Sequence, residues 1–298
     1  MTLMEICLMN GWTARTDARV SSFGFIEIPL EGRLVFAMNR EKLEAAMVAD
    51  GVAAVLTEPA LAGVAVGTGR GLAVTDDPRR AFLEAHNRLA RETGFYGARA
   101  PTQVDASASV HPRAHVDETG VVIGPGCRVD AGAIVLEGTQ LGADVRVMAG
   151  AVLGGDGFQS MRFGEARLDF IHAGRLRVGD RCVIMANAVL ARAVFNQATT
   201  LGPDCRVGNG AFVSHNCRIG ARALVGHGAV IAGNCRIGAD VTIGPGAICS
   251  DRLSVGDGAK VTLGAVVTGP VPPGERYTGN FAMPHGRFKR MMQSFAGD

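Results

Sequence analysis

Apolar residues recur every six positions through most of this chain. Stepping by six from Phe195 lands on Leu201, Val207, Val213, Ile219, Val225, Ile231, Ile237, Ile243, Cys249, Val255, Val261 and Val267, thirteen apolar positions without a phase error. A second run holds phase through Ile123, Val129, Val135, Leu141, Val147 and Leu153. Val104, Val110 and Val116 precede it after a one-residue slip, and Val178, Ile184 and Leu190 form a short third run. A period of six suits neither an amphipathic helix nor a half-buried strand. An apolar residue followed by glycine at this period is the signature of a parallel β-helix, with three hexads closing one coil of 18 residues. The 25 hexads predict roughly eight coils. At about 4.8 Å between stacked strands, the prism would stand on the order of 40 Å tall. Gly202, Gly208, Gly220, Gly226, Gly238, Gly244 and Gly256 follow inward aliphatic positions, where they are expected to supply the positive φ of a tight corner. This accounts for part of an unusual glycine count, 41 of 298 residues.

The remaining composition excludes several classes. Thirty basic against 28 acidic residues leave a net charge of +2, which argues against a dedicated nucleic-acid binder. Met1 to Gly11 has no basic segment and places Glu5 ahead of any apolar run, unlike a signal peptide. The longest apolar candidate for a transmembrane segment, Val52 to Val66, is broken by Glu58 and Pro59. Seven cysteines with no CxxC pair suit a reducing cytoplasm better than a disulfide framework. Cys127, Cys182, Cys205, Cys217 and Cys235 each stand two residues before an inward aliphatic, where a small free thiol packs well.

The first hundred residues read as a small α/β domain. Gly24–Leu30, Leu34–Met38, Val52–Thr57 and Gly71–Thr75 have strand character, and Arg40–Val48 has helical spacing. Asp77 and Pro78 open a second helix toward Arg91 as N-cap and first residue. The division expected is 1–100 as this domain, 101–270 as the β-helix with an inserted loop at 154–177, and 271–298 as a tail with a short helix near Gly286–Ser294. Phe158, Phe163 and Phe170 suggest that the inserted loop folds over something.

A β-helix has flat flanks, and such prisms associate as closed trimers with sites in the clefts between subunits. His215 is the leading candidate for chemistry. It lies two residues after the inward Val213, near a corner, and the position one coil above it is Gly233. A histidine beneath a bare backbone N–H combines a general base with an oxyanion donor. The rival reading is a solvated polar residue at a turn. His227 falls on another corner, and His111 and His115 lie in early coils. His172 in the insert and His285 in the tail are each placed to reach a cleft. The spacings offer no convincing metal-binding set of histidines. Gly154-Gly155-Asp156-Gly157-Phe158 lacks the strand-to-helix setting of a phosphate loop.

The ordered set of motifs resembles the UDP-3-O-acylglucosamine N-acyltransferase family, left-handed β-helix enzymes of lipid A biosynthesis. Leu34-Val35-Phe36-Ala37-Met38-Asn39 is similar to the family's nucleotide-binding segment, and Gly155-Asp156-Gly157-Phe158 to its loop motif. Ser214-His215-Asn216 resembles the segment holding the catalytic histidine, Ala232-Gly233 the oxyanion glycine, and Asn209 a substrate contact. Tyr277-Thr278-Gly279-Asn280 resembles the family's Ser-Gly turn. The resemblance implies a mainly β fold, a left-handed parallel β-helix with an N-terminal α/β domain. It implies His215 and Gly233 as catalytic groups, with Asn39, Asp156, Gly157, Phe158, His172, Asn209, Asn216 and Arg252 binding substrate, and no metal. It further implies a cytoplasmic homotrimer without a cofactor, which takes acyl carrier protein or CoA thioesters as co-substrate and a nucleotide-linked amino sugar as acceptor. The basic tail, Arg287, Lys289 and Arg290, is placed to meet an acidic donor.

Four departures bear on the acceptor. Lys42 replaces an aromatic residue, Arg252 a second histidine, Ala191-Arg192-Ala193 an Asp-Arg-Gly segment, and Gly208 an acidic residue. They point away from the lipid A precursor itself and toward another surface glycan. Three rivals remain: an acetyl-CoA-dependent O-acetyltransferase, a zinc carbonic anhydrase of β-helix type, and a non-catalytic β-helix binding module.

Overall fold

The structure is a computed structural model that describes residues 1–65, 69–97, 100–279 and 283–295; Asn280 lies outside the described residues. The first element is helix α1 (Leu3–Asn10), which lies ahead of the elements expected from the sequence. A capping box between Thr2 and Glu5 starts it, and Gly11 stops it in the left-handed region at φ 68°. There follow β1 (Thr13–Thr16), β2 (Ser22–Phe23), β3 (Arg33–Phe36), α2 (Arg40–Val48), β4 (Val52–Thr57), a 3-10 turn over Pro59–Ala65, β5 (Gly71–Val74) and α3 (Pro78–Glu92). The sheet runs β1-β5-β4-β3-β2, parallel except for the β1 edge.

The expected strand at Gly24–Leu30 is absent, because buried Arg33 gathers that segment around its guanidinium. Arg33 donates to the carbonyls of Leu30 (2.7 Å), Ile26 (2.9 Å), Phe25 (3.3 Å) and Asp50 (2.6 Å). Those carbonyls converge on one cation and so cannot also form a ladder.

From Gln103 onward the chain winds into a parallel β-helix whose three sheets contain nine, eight and eight short strands. The six-residue rungs stack in register, Val207 on Val225 on Ile243 on Val261, and so on around the prism. Their side chains form one continuous buried core, each contributing about 1.5–3 kcal/mol. The seven cysteines are buried free thiols. The coils continue beyond residue 270, since Val271 bridges Val255 and Arg276–Tyr277 pairs with Lys260–Val261.

The corners turn differently from the expectation. Glycines such as Gly220 and Gly226, directly after the inward aliphatic, are not the residues with positive φ. A Cβ on Gly220 would stand 2.5 Å from the Ala239 nitrogen of the next coil, so glycine is required there by close backbone approach. The left-handed residue comes two places later, at Asp204, Gly210, Asn216, Arg222, Gly228 and Asn234 among others. Among non-glycine residues, asparagine and aspartate are the ones enriched in that conformation.

Two insertions break the winding. After the rungs at Val147 and Leu153 the chain leaves the prism as an antiparallel hairpin, Ser160–Phe163 with Ala166–Asp169, and returns so that Val178 pairs with Leu141. Val178 then pairs with Leu201, which leaves Phe195 outside the coil. Phe195 is therefore not a rung, although it holds the hexad phase. It packs with Phe25, Phe82, His86 and Phe170 in an aromatic cluster joining the α/β domain, the hairpin and the prism. The last described element is α4 (His285–Phe295), which has no buried residue.

Candidate active site

His215 lies at the turn after Val213, and the coil around it fixes the corner. The Ser214 N–H donates to Ile231 (2.9 Å), the Asn216 N–H donates to the Thr199 hydroxyl (2.9 Å), and Asn216 adopts φ 60°. The Asn216 side chain is engaged at both ends, accepting from the Val194 N–H at 3.0 Å and donating to Asn234 at 3.0 Å. Asn234 in turn donates to Asp251 at 3.2 Å.

The inserted hairpin brings a second histidine over this corner. Asn87 of α3 clasps the strand leaving the hairpin, donating to the Asp169 carbonyl (2.7 Å) and accepting from the Ile171 N–H (2.9 Å). His86, one residue earlier, contacts the Ile171 carbonyl through Nε2 (2.8 Å) and the Tyr96 hydroxyl through Nδ1 (2.6 Å). Burial lowers the His86 pKa to about 4. This anchorage sets His172 against His215, with ring centroids 5.5 Å apart and planes at 72°.

Both rings are buried, His215 at 3% and His172 at 1% exposure, so His215 is not a solvated turn residue. Gly157 makes the approach possible: a Cβ there would lie 2.9 Å from Cδ2 of His215 and 3.1 Å from Nε2 of His172. Gly233 stands one coil above, as the 18-residue step requires. A Cβ on it would lie 2.6 Å from Cε1 and 2.8 Å from Nε2 of His215, and 3.0 Å from the Asp251 carboxylate. Only glycine leaves room for the ring. No acceptor among the described residues takes the Gly233 N–H, while its carbonyl accepts from the Arg252 N–H.

Burial lowers the His215 pKa to about 4 and His172 pushes it the same way, against Asp251 and the Phe158 backbone. Burial also lowers the His172 pKa, opposed by Asp156 and the Phe170 carbonyl and reinforced by Arg192. Both imidazoles are thus neutral near pH 7. Nδ1 of His215 and Nε2 of His172 are buried without a hydrogen-bond partner. Among the described residues no group of three or more His, Cys, Asp or Glu is arranged to hold a metal ion.

Of the residues singled out from sequence, His215, Gly233, Gly157 and His172 meet at this corner. Asp156 joins them through Arg192, its ion-pair partner at 2.9 Å. Phe158 is 80% exposed beside the loop. Asn216 braces the corner with its side chain. Arg252 pairs with Asp251 at 3.1 Å and borders a separate cavity of about 290 Å³ with Phe25 and Glu27. Asn39 caps α2, accepting from the Lys42 N–H. Asn209 is exposed on the preceding corner, its N–H donating to His227 at 2.9 Å. Within one chain, neither Asn39 nor Asn209 reaches His215. Asp251 and Asn234 were missed, although the same 18-residue step that links His215 to Gly233 leads on to Asp251.

The winding has counterparts in known sequences. The family described as "Bacterial transferase hexapeptide (six repeats)" matches residues 120–155, 198–233 and 216–251, and "Hexapeptide repeat of succinyl-transferase" matches 175–215. Together these matches cover less than half of the chain. Part of the chain also aligns with UDP-3-O-acylglucosamine N-acyltransferases. That of Maricaulis maris is 32% identical over 91 residues, 30% of this chain and 26% of the relative. That of Xanthomonas axonopodis pv. citri is 38% identical over 84 residues, 28% and 25% respectively. The aligned stretch therefore spans about a quarter of these relatives' length. A solved UDP-N-acetylglucosamine acyltransferase from Campylobacter jejuni superposes with a TM-score of 0.49 at 16% identity, covering 65% of this chain and 81% of that one.

Proposed function

We propose that this chain is an N-acyltransferase, moving an acyl group from a thioester of acyl carrier protein or CoA to the amine of a nucleotide-linked amino sugar. The reading rests on one relationship, the neutral His215 imidazole packed beneath a Gly233 turn whose N–H has no acceptor in the described chain. The names of the partially aligned relatives support it.

In this mechanism the sugar amine adds to the thioester carbon and its proton passes to His215. Asp251, beyond Gly233, favours the imidazolium that forms. The Gly233 N–H donates to the oxygen that gains charge; such a donor is typically worth about 10²–10³ in rate. The C–S bond then breaks, and the sulfur leaves as a thiol with the proton from His215.

The same reading makes the assembly a homotrimer. A neighbouring copy would supply the Asn209 and Asn39 contacts that one chain does not bring to His215. It places the protein in the cytoplasm, where acyl thioesters are made, acting in lipid A-like or other surface glycan synthesis. The exposed α4, with Arg287, Lys289 and Arg290, is positioned to meet an acidic or phosphorylated donor. No helix among the described residues is long and apolar enough to cross a membrane.

The test is His215→Ala, assayed with acyl carrier protein and CoA thioesters of several lengths against nucleotide amino sugars. Turnover should vanish while the melting temperature and oligomeric state stay unchanged. Wild-type turnover in the variant overturns the mechanism. A preference for acetyl-CoA and a hydroxyl acceptor identifies an O-acetyltransferase instead.

A further inference from the structure

A second concavity opens on another side of His172. It is a cavity of about 420 Å³ between the C-terminal end of α3 and the early coils, with Arg91, Tyr96, Glu137, His172, Arg175 and Arg192 among its walls. Three guanidinium-bearing residues line it and, among the described lining residues, Glu137 is the one acidic side chain.

The three arginines differ in their partners. Arg192 pairs with Asp156 at 2.9 Å and donates to the Glu137 carbonyl at 3.4 Å. Arg91, in the last turn of α3, complements the helix dipole but has no carboxylate partner among the described residues. Arg175 is half-buried and its guanidinium has no acceptor among the described residues. Its backbone is nonetheless held firmly: its N–H donates to Gln197 at 2.8 Å, and the strand it begins pairs on both sides. A Cβ on Gly97 would lie 3.6 Å from Arg175 Nη2, so this guanidinium stands beside open glycine backbone.

A half-buried guanidinium without a counter-charge is costly, and like charges around a concave wall focus positive potential into it. Guanidinium groups match phosphate oxygens in geometry as well as charge. The volume lies within the range of small-ligand sites.

We propose that this cavity binds the diphosphate group of a small molecule, with Arg91 and Arg175 taking its oxygens and Arg192 held beside them by Asp156. The occupant then lies one imidazole away from His215, since His172 belongs to both the cavity wall and the ring pair. Two sources share this chemistry, a nucleoside diphosphate and the diphosphate of CoA. Binding of the anion is independent of acyl transfer and is measured without it.

Calorimetry with inorganic pyrophosphate on the full chain tests the site. Wild type and His215→Ala should bind alike, whether or not any acyl transfer is detected. Arg175→Gln and Arg91→Gln should each weaken Kd roughly tenfold or more. Arg91 is exposed at a helix end, so its variant tests the site even if Arg175→Gln fails to fold. Competition by uridine diphosphate assigns the cavity to the acceptor, and competition by CoA assigns it to the donor. No pyrophosphate binding to wild type, or an unchanged Kd in Arg91→Gln, overturns the proposal.

Discussion

His172 and His215 meet edge to face with ring centroids 5.5 Å apart, both buried. Two imidazoles this close disfavour double protonation, and His172 reinforces the effect of burial in lowering the pKa of His215 to about 4. His172→Gln keeps the bulk and removes the second titrating ring, so the His215 pKa should rise. In kcat/KM against pH, the acid limb of the wild type should lie well below pH 6.5 and move upward in the variant. An acid limb that stays in place would show that His172 does not tune the base.

Acid should destabilise the fold in a defined window. His86 and His215 titrate near 4 in the fold, against about 6.5 in an unfolded chain, and His172 is lowered as well. Below 6.5 the unfolded state binds protons that the folded state does not, so stability falls as pH drops toward 4. For the fully buried His86 alone the loss is on the order of 3 kcal/mol across that window. Urea titrations at pH 7 and pH 4.5 check this, and equal midpoints would refute it.

Gly233→Ala should spare the fold and damage the chemistry. Gly233 has no positive φ to lose, but the new Cβ would stand 2.6 Å from His215 Cε1 and displace the ring. A displacement near 1 Å commonly costs on the order of 10²-fold in rate. Turnover should drop by about that factor at an unchanged melting temperature.

Two corner glycines separate close approach from backbone conformation. Gly228→Ala meets open space but must hold φ +62°, a strain of about 1–2 kcal/mol. Gly220→Ala drives a Cβ to 2.5 Å from the next coil's backbone and should cost clearly more. Chemical denaturation of the pair gives the order; the reverse ranking would contradict the corner geometry.

Phe195→Ala should loosen the join between the α/β domain and the prism. Its ring contacts Phe25 at 5.3 Å and His86 at 5.0 Å, with Phe82 and Phe170 also against it. Truncating a buried phenylalanine costs about 3–5 kcal/mol. Because His86 and Asn87 hold the strand that carries His172, turnover should fall along with stability.

The β-helix was legible in the sequence because its order is local and repetitive. Each inward Val, Ile or Leu is tied to the next coil by a fixed step of 18 residues, so counting alone places Gly233 over His215 and Asp251 over Gly233. Counting failed where the winding is interrupted. Phe195 keeps the hexad phase yet belongs to an aromatic cluster, and Gly24–Leu30 bends around the Arg33 guanidinium in place of forming a strand. The pairing of His172 with His215, the Asp156–Arg192 bridge and the arginine-lined cavity have no periodic signature either. They exist because α3 clasps the inserted hairpin through Asn87 and folds it over the corner. The sequence by itself determined the prism and the stacking of Gly233 over His215, since both follow from a rung-to-rung register. Only the tertiary structure decided what covers the His215 imidazole, because contacts between separate elements obey no repeat and depend on where each insertion packs.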